Sequence, residues 1–568
     1  MTILAAGTLP VALPRGRRIR GLRPRLSSTS GWFLGALAIY VAIGAALVLV
    51  HDGVMEDALA RVSAASSVWS SSDPKLAAIG YVWTPLPVLV MVPFTPLRAV
   101  WPELVSRGYL AALLSAVAMA AAVASTWGLL GDLRVRPLPR SVVTVLFALS
   151  PMVVFYASNG MTEALLVALL LAAARGLLDW VRSGNPIALV AAGLFLGLGY
   201  LARYEALVAA AALAVLVAVI SAMRPGTLRG PARRRDAVVV DVLLAAGPTA
   251  VAFILWALIS WLVVGSPFEQ FTSAYGNAAL LADAGTPSVS IATPARQLSW
   301  LAPVLAPLLV LAVVVALVRR DRWRSLALVA VPVTMFGSVL AFEWATYLTG
   351  NLFGFLRYQI TAIPLVVVLL ALVLARRDLK RGRSRRVADF PRAVGGGLLA
   401  VAVLGAGAVT SGSAMLDEPV DATQEYHRVA PLVASALGHP APSPSALGMW
   451  ASDRAVAARI DAMHLPRGSV LVDSGAGFAV VAASHHPDSF LITSDDGFDT
   501  ALADPPAHGI RVVLRSESGG VDAVRTRWSS FGTPAGPGWA HPAGGVAPAT
   551  PFSSAWSLWI VAATPSPR

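Results

Sequence analysis

Residues 31–50 form an unbroken apolar stretch, and a series of comparable stretches follows it down the chain. At 1.5 Å per residue, about twenty helical residues cover the roughly 30 Å of bilayer hydrocarbon. In lipid only helices or closed barrels satisfy their own backbone hydrogen bonds. The expected fold is therefore an all-α polytopic membrane protein of about 11 transmembrane helices, at 31–50, 109–130, 142–156, 164–181, 187–201, 206–223, 243–264, 300–318, 326–348, 355–374 and 393–409. A chain of 568 residues that is 56% hydrophobic and only 13% charged is not a soluble enzyme.

The net charge of +13 raises nucleic acid as a partner, so its distribution matters. From Ser413 onward there are 14 acidic residues and 9 arginines, which leaves +18 on the part before it. That excess sits in short arginine-rich loops between apolar runs, the pattern of topology signals, and no nucleic-acid face is expected. Cysteine is absent, which removes disulfides, thiolate nucleophiles and Cys-ligated metals.

Those arginines also set the expected orientation. Arg15, Arg17, Arg18, Arg20, Arg23 and Arg25 precede the first run, which lacks a small-x-small cleavage site before His51 and reads as an uncleaved span with its N-terminus inside. The stretch from Tyr81 to Leu97 is apolar but carries Pro85, Pro87, Pro93 and Pro96, so it reads as re-entrant or interfacial, with Trp83 and Trp101 at headgroup level. If it does not cross, Arg134, Arg136 and Arg140, then Arg182, then Arg224 through Arg235, then Arg319 through Arg324, then Arg376 through Arg392 all fall inside. A crossing there reverses nearly all of them, against the positive-inside rule. The expected division is a basic cytoplasmic segment 1–30, a membrane domain 31–412 with outer loops 51–106 and 265–299, and an extracytoplasmic domain 413–568.

The tail alternates strand-like pieces at 469–473, 489–493 and 510–514 with helix-like pieces at 478–483, 499–503 and 521–527, which predicts a small α/β layer domain. Residues 446–463 read as an amphipathic helix, and 440–445 and 533–550 as Pro/Gly/Ala linkers.

One feature stands apart from this apolar background. Directly after the first span comes His51-Asp52-Gly53-Val54-Met55-Glu56-Asp57, and carboxylates beside lipid must be solvated or paired. One of them as a helix cap is the plain structural reading, but two adjacent carboxylates with Asp52 and His51 exceed what a cap needs. His51 with these acids as a hard, oxygen-rich divalent-metal site is the lesser reading, since no ligand spacing supports it. Glu163, Arg203, Glu343 and Arg357 lie at the same membrane level by the topology above. Glu163 or Glu343 alone reads as a snorkelling or arginine-paired charge, well below the ~2.5–3.5 kcal/mol of a mid-bilayer ion, and Arg203 or Arg357 alone as binding a lipid headgroup without catalysis. Their shared level points to a site.

Taken in order, the acidic pair Glu56-Asp57, the proline-rich aromatic stretch Trp83-Thr84-Pro85-Leu86-Pro87, Ser150-Pro151 with Tyr156 and Met161-Thr162-Glu163, Leu201-Ala202-Arg203-Tyr204-Glu205, and Arg357-Tyr358 before Pro364 resemble the GT-C superfamily of polytopic glycosyltransferases. The likeness covers about the first 375 residues and is greatest to the protein mannosyltransferase and aminoarabinose transferase branch. That branch usually has Asp-Glu where this chain has Glu56-Asp57, which leaves both acids as matches to the catalytic position, and the stretch Trp83-Thr84-Pro85-Leu86-Pro87 lacks the branch's common His-Pro-Pro.

The resemblance implies transfer of a hexosyl or pentosyl group from a polyprenyl-phosphate donor to an extracytoplasmic glycan, lipid or protein. Asp57 is the first candidate for the base and Glu56 the second; Arg203 and Arg357 suit the phosphate, because guanidinium pairs bidentately with it and keeps its charge. Tyr204 and Tyr358 accompany those arginines. The outer loop with Phe268, Phe271 and Tyr275 reads as a cover over the site or as an interfacial segment. A flippase for a lipid-linked sugar and a non-catalytic scaffold with an outer binding domain are the alternatives; the absence of a repeat and the placement of charge at the membrane edge favour transfer. Arginine-heavy basic usage, with Lys75 and Lys380 the lysines, suggests a GC-rich bacterial genome, and the expected location is the bacterial plasma membrane.

Overall fold

The computed structural model describes residues 28–224, 231–284, 289–376, 386–518, 520–533 and 536–562. The arginines expected ahead of the first span lie outside them. Among the described residues eight helices are long and apolar enough to cross a membrane: Ser28–Val50, Tyr109–Asp132, Glu163–Ser183, Glu205–Met223, Arg234–Val264, Arg322–Leu348, Leu356–Leu374 and Phe390–Asp417. The chain is a multi-pass helical membrane protein with a small α/β domain at its C-terminal end.

Two of the runs read as spans are broken by proline, while 187–201 form the continuous helix Pro186–Ala202. Residues 300–318 belong to the pair Ala292–Leu301 and Leu305–Leu317, bent by 64°. Pro303 drives Ala302 out of the helical region, to φ −142°, ψ 58°. Residues 142–156 divide into Pro137–Ala148 and Pro151–Tyr156, where Pro151 ends the first helix. Apolar composition marks these runs, but not where proline breaks them.

The proline-rich stretch 81–97 contains one turn-and-a-half of α-helix, Leu86–Met91, continued as a 3-10 helix over Val92–Ala99 with Pro96 inside it. It is shorter than a span. Trp69 donates its indole N–H to the Val92 carbonyl at 3.0 Å, tying it to helix Glu56–Ser70. Its other side exposes Leu89, Val90, Phe94, Leu97 and Val100.

Helix polarity separates the charges. Glu163 opens the helix that ends beside Arg182, and Glu205 opens the helix that ends before Arg224. Glu163 and Glu205 therefore share one end of the bundle, where both meet Arg203, and Arg182 and Arg224 lie at the other.

The C-terminal sheet has five strands, β1 (Val470–Leu471), β2 (Phe490–Leu491), β3 (Val512–Ser516), β4 (Ala540–Val546) and β5 (Trp556–Val561), in the order β2-β1-β3-β5-β4. β1 is parallel to β2 and β3, while β5 is antiparallel to β3 and β4. Helices Ala451–Asp461 and Ser474–Ala483 cover one face around Val456, Val480, Phe490 and Trp556; Phe498, Val513, Val524 and Phe531 form the core of the other. The central strands are apolar because both faces are covered. Part of the 533–550 segment, read as linker, is instead edge strand β4. Its glycines hide the strand signal, and an edge tolerates Pro542, where the register shifts to Gly544.

Between the last span and this domain, helix Thr423–Ala436 lies back against the membrane bundle, and Ala422, Ala446, Met449 and Trp450 join the bundle's core. The domain meets the first loop through Ser72, whose hydroxyl donates to Asp495 at 2.6 Å, and through Arg467, which donates to the Ser72 carbonyl at 2.9 Å.

Candidate functional site

Helix Glu56–Ser70 begins on Met55, whose side chain makes no cap, so Glu56 and Asp57 occupy its first turn, where carboxylates are favoured. The Met55 N–H points to the Asn159 carbonyl at 3.5 Å. Gly160, at φ +88°, allows that approach: a Cβ on it stands 2.8 Å from the Ala58 methyl. This contact brings Glu163, three residues on, beneath the first turn.

From there a chain of charges runs along the end of the bundle. Asp57 Oδ2 lies 3.4 Å from both Nη1 and Nη2 of Arg357. Arg357 Nε is 3.6 Å from Glu163 Oε1, to which Arg203 Nη1 donates at 2.7 Å. Arg203 Nε also donates to Glu205 Oε1 at 3.0 Å, and Glu343 lies beside Glu205 and Arg203. Glu163, Glu205, Glu343 and Arg357 are buried, whereas the Asp57 side chain is 34% exposed. Burial opposes charge on Asp57, but Arg357, Arg61 and Arg203 outweigh it and hold the carboxyl below the usual carboxylate range.

Arg61 is a third buried arginine here. Its Nη1 donates to the Asp57 carbonyl at 3.1 Å and its guanidinium stacks 4.4 Å from the Trp83 ring centroid. Its Nε has no partner, and among the described residues it makes no ion pair. Arg203, by contrast, already holds two carboxylates.

The acidic cluster is divided between two partners. Glu56 Oε1 is 2.9 Å from Arg428 Nη2 on helix Thr423–Ala436. Asp52, at φ +54°, receives both guanidinium nitrogens of Arg454 at 2.7 and 2.6 Å. Trp450 donates its indole N–H to the Val54 carbonyl at 3.2 Å. His51 ends the first span, its backbone N–H on the Ala46 carbonyl, and joins none of these contacts. Among the described residues no three His, Asp or Glu side chains are grouped as for a metal ion. With Asp52 and Glu56 each given to an arginine, the donor set does not fit one.

Around this chain, Tyr358 Oη is 3.5 Å from Arg357 Nη2, and Tyr204 packs edge-on to Phe271 and Phe342 at 5.7 and 6.2 Å. A small cavity lined by Gln297, Glu343, Tyr347, Phe355 and Tyr358 adjoins it. The tail reaches in as well: Glu425, fully buried, accepts the Tyr156 hydroxyl, and burial pushes its carboxyl up to about 7. The loop after residue 265 brings Phe271 to Tyr204 and ties Tyr275 to the tail, where its hydroxyl donates to Asp473 at 2.9 Å. Gly475 allows this, since a Cβ there meets the Tyr275 ring at 2.4 Å.

The structure thus brings Asp57, Glu163, Arg203, Glu343, Arg357 and Tyr358 together, and separates Glu56, Asp52 and His51 from them. Sequence reasoning did not single out Arg61, Glu205, Glu425, Arg428 or Arg454. Arg61 was within reach of it, being one helical turn after Asp57; the three from the tail carry no local signal.

No family model and no curated protein matches the chain. Among solved structures it is similar to the Archaeoglobus fulgidus oligosaccharyltransferase in its apo form, at 12% identity and TM-score 0.40, over 85% of this chain and 69% of that one. It is likewise similar to the archaeal oligosaccharyltransferase AglB of Archaeoglobus fulgidus in complex with an inhibitory peptide and a dolichol-phosphate, at 12% identity and TM-score 0.42, over the same shares. Likenesses this distant assign no role to any residue of this chain.

Proposed function

We propose that this chain is a GT-C glycosyltransferase that moves a sugar from a polyprenyl-phosphate carrier to an acceptor glycan, lipid or protein on the extracytoplasmic side. The observation that carries the reading is Asp57, partly exposed, facing Arg357 at 3.4 Å with Arg61 on the same helix turn.

In this reading the acceptor hydroxyl attacks the anomeric carbon, the bond from that carbon to the carrier phosphate breaks, and the hydroxyl proton passes to Asp57. The arginines hold the Asp57 carboxyl below the usual carboxylate range, which favours its ionised, accepting form. Glycosyl transfer through an oxocarbenium-like state needs no stronger base than a carboxylate. The departing lipid phosphate gains negative charge, which Arg357 and Arg61 offset at close range. Arg203, bound by Glu163 and Glu205, acts one step back: it holds Glu163, which holds Arg357. The exposed apolar side of Leu86–Ala99 gives the lipid chain a surface beside Arg61 and Trp83.

The test is transfer in proteoliposomes supplied with polyprenyl-phosphate sugars. Asp57→Asn is expected to lose about 10²- to 10⁴-fold in rate, while Glu56→Gln stays near wild type. Full transfer by Asp57→Asn overturns the reading, and lost lipid translocation with intact transfer favours a flippase.

A further inference from the structure

Glu56 and Asp57 are consecutive acids in one helix turn, and Glu56 has the longer reach. Both side chains are partly exposed, 41% and 34%. The arginine chain beneath them attracts either. What separates them is a guanidinium from the far end of the sequence.

Arg428 is buried to 2% exposure, and its position is fixed from several sides. Its Nη1 donates to the Gln424 carbonyl at 3.3 Å, and its Nη2 lies 3.5 Å from the Met449 sulfur. Glu425, one turn earlier on the same helix, is anchored by the Tyr156 hydroxyl. Among the described residues Glu56 is the ion-pair partner of Arg428, and Arg428 Nε has no hydrogen bond. A buried cation with one carboxylate binds it strongly, because loss of that partner leaves the charge uncompensated.

We propose that Arg428 is a positioning residue that draws Glu56 out of the arginine chain, so that Asp57 alone faces Arg357 and the phosphate-binding guanidinium groups stay open to a lipid phosphate. This rests on the function proposed above. In that scheme helix Thr423–Ala436 is a working part of the site and not a connector to the outer domain. Released from Arg428, Glu56 swings toward Arg357 and Arg61 and competes there with phosphate.

The experiment is a binding titration of the full-length, detergent-solubilised protein with a polyprenyl phosphate lacking sugar. Arg428→Gln is expected to raise Kd roughly tenfold, the effect of about 1.4 kcal/mol of competition. Adding Glu56→Gln to it is expected to restore the wild-type Kd, and Arg428→Lys to preserve it. Arg428→Met, which fills the same space without a polar group, is measured in parallel should the glutamine variant fail to fold. If the double variant binds as weakly as the single one, or if neither Arg428→Gln nor Arg428→Met weakens binding, Arg428 does not select between the acids. If wild type itself does not bind, the proposed function fails, and the selection with it.

Discussion

Asp57 Oδ2 sits 3.4 Å from both terminal nitrogens of Arg357, two residues 300 positions apart that meet where the first turn of helix Glu56–Ser70 reaches the 3-10 turn Leu356–Gln359 that opens Leu356–Leu374. The pair sets the charge state of Asp57. Burial alone raises its carboxyl; the arginines, Arg357 foremost, more than reverse this.

Removing Arg357 therefore changes pH dependence in a known direction. In Arg357→Gln the burial effect is less opposed, the Asp57 carboxyl rises, and the acid limb of the transfer profile moves to higher pH than in wild type. Rates measured across the acid range check this. An unmoved limb means Asp57 is not the group titrating in catalysis.

Arg203 is placed to matter more for stability than for binding. Arg203→Gln leaves Glu163 and Glu205 buried without their shared cation, a loss on the order of 3–5 kcal/mol. Thermal unfolding in detergent is expected to show a markedly lower midpoint, partly recovered when Glu205→Gln is added. An unchanged midpoint contradicts this account of the chain of charges.

Arg61 makes the opposite prediction. It holds no carboxylate, so Arg61→Met leaves no buried anion behind, and stability is expected to change little. Donor KM is expected to rise by about tenfold or more, the size of one charge-assisted contact to phosphate of roughly 1.5–3 kcal/mol. Donor-dependence kinetics of the reconstituted enzyme measure it; an unchanged KM removes Arg61 from the phosphate site.

Glu425 provides a stability test with a definite sign. Its folded carboxyl lies at about 7, above the ordinary value of 4.5, so the folded state binds the proton more tightly than the unfolded chain does. Its contribution is full below about 4.5 and is lost as pH rises through about 7. Glu425→Gln mimics the protonated form, so it is expected to match wild type near pH 5 and to melt higher than wild type near pH 8. Equal melting at both values shows that the carboxyl is not shifted in the folded protein.

The eight long helices, the brevity of the proline-rich helix and the first three strands of the tail were legible in the chain because each rests on local pattern: apolar length, missing N–H groups, and short apolar runs between turns. Where local pattern is ambiguous the reading diverged. Pro151 and Pro303 break runs that composition shows as continuous, and the glycines of Ala540–Val546 conceal an edge strand.

By itself, then, the sequence determined a set of long apolar membrane helices and placed Glu163, Arg203 and Arg357 near one end of them, since helix polarity carries a residue's place in a span to a place along the bundle. It also narrowed the acidic candidates to Glu56 and Asp57. Only the tertiary structure separates them, pairing Glu56 with Arg428 and Asp57 with Arg357. Ion pairs form across hundreds of residues, and nothing near Glu56 in the chain records that Arg428 lies 2.9 Å away, or that Glu163 and Glu205 already occupy Arg203. A charge's role depends on which opposite charge it meets, and that is a property of the packed fold.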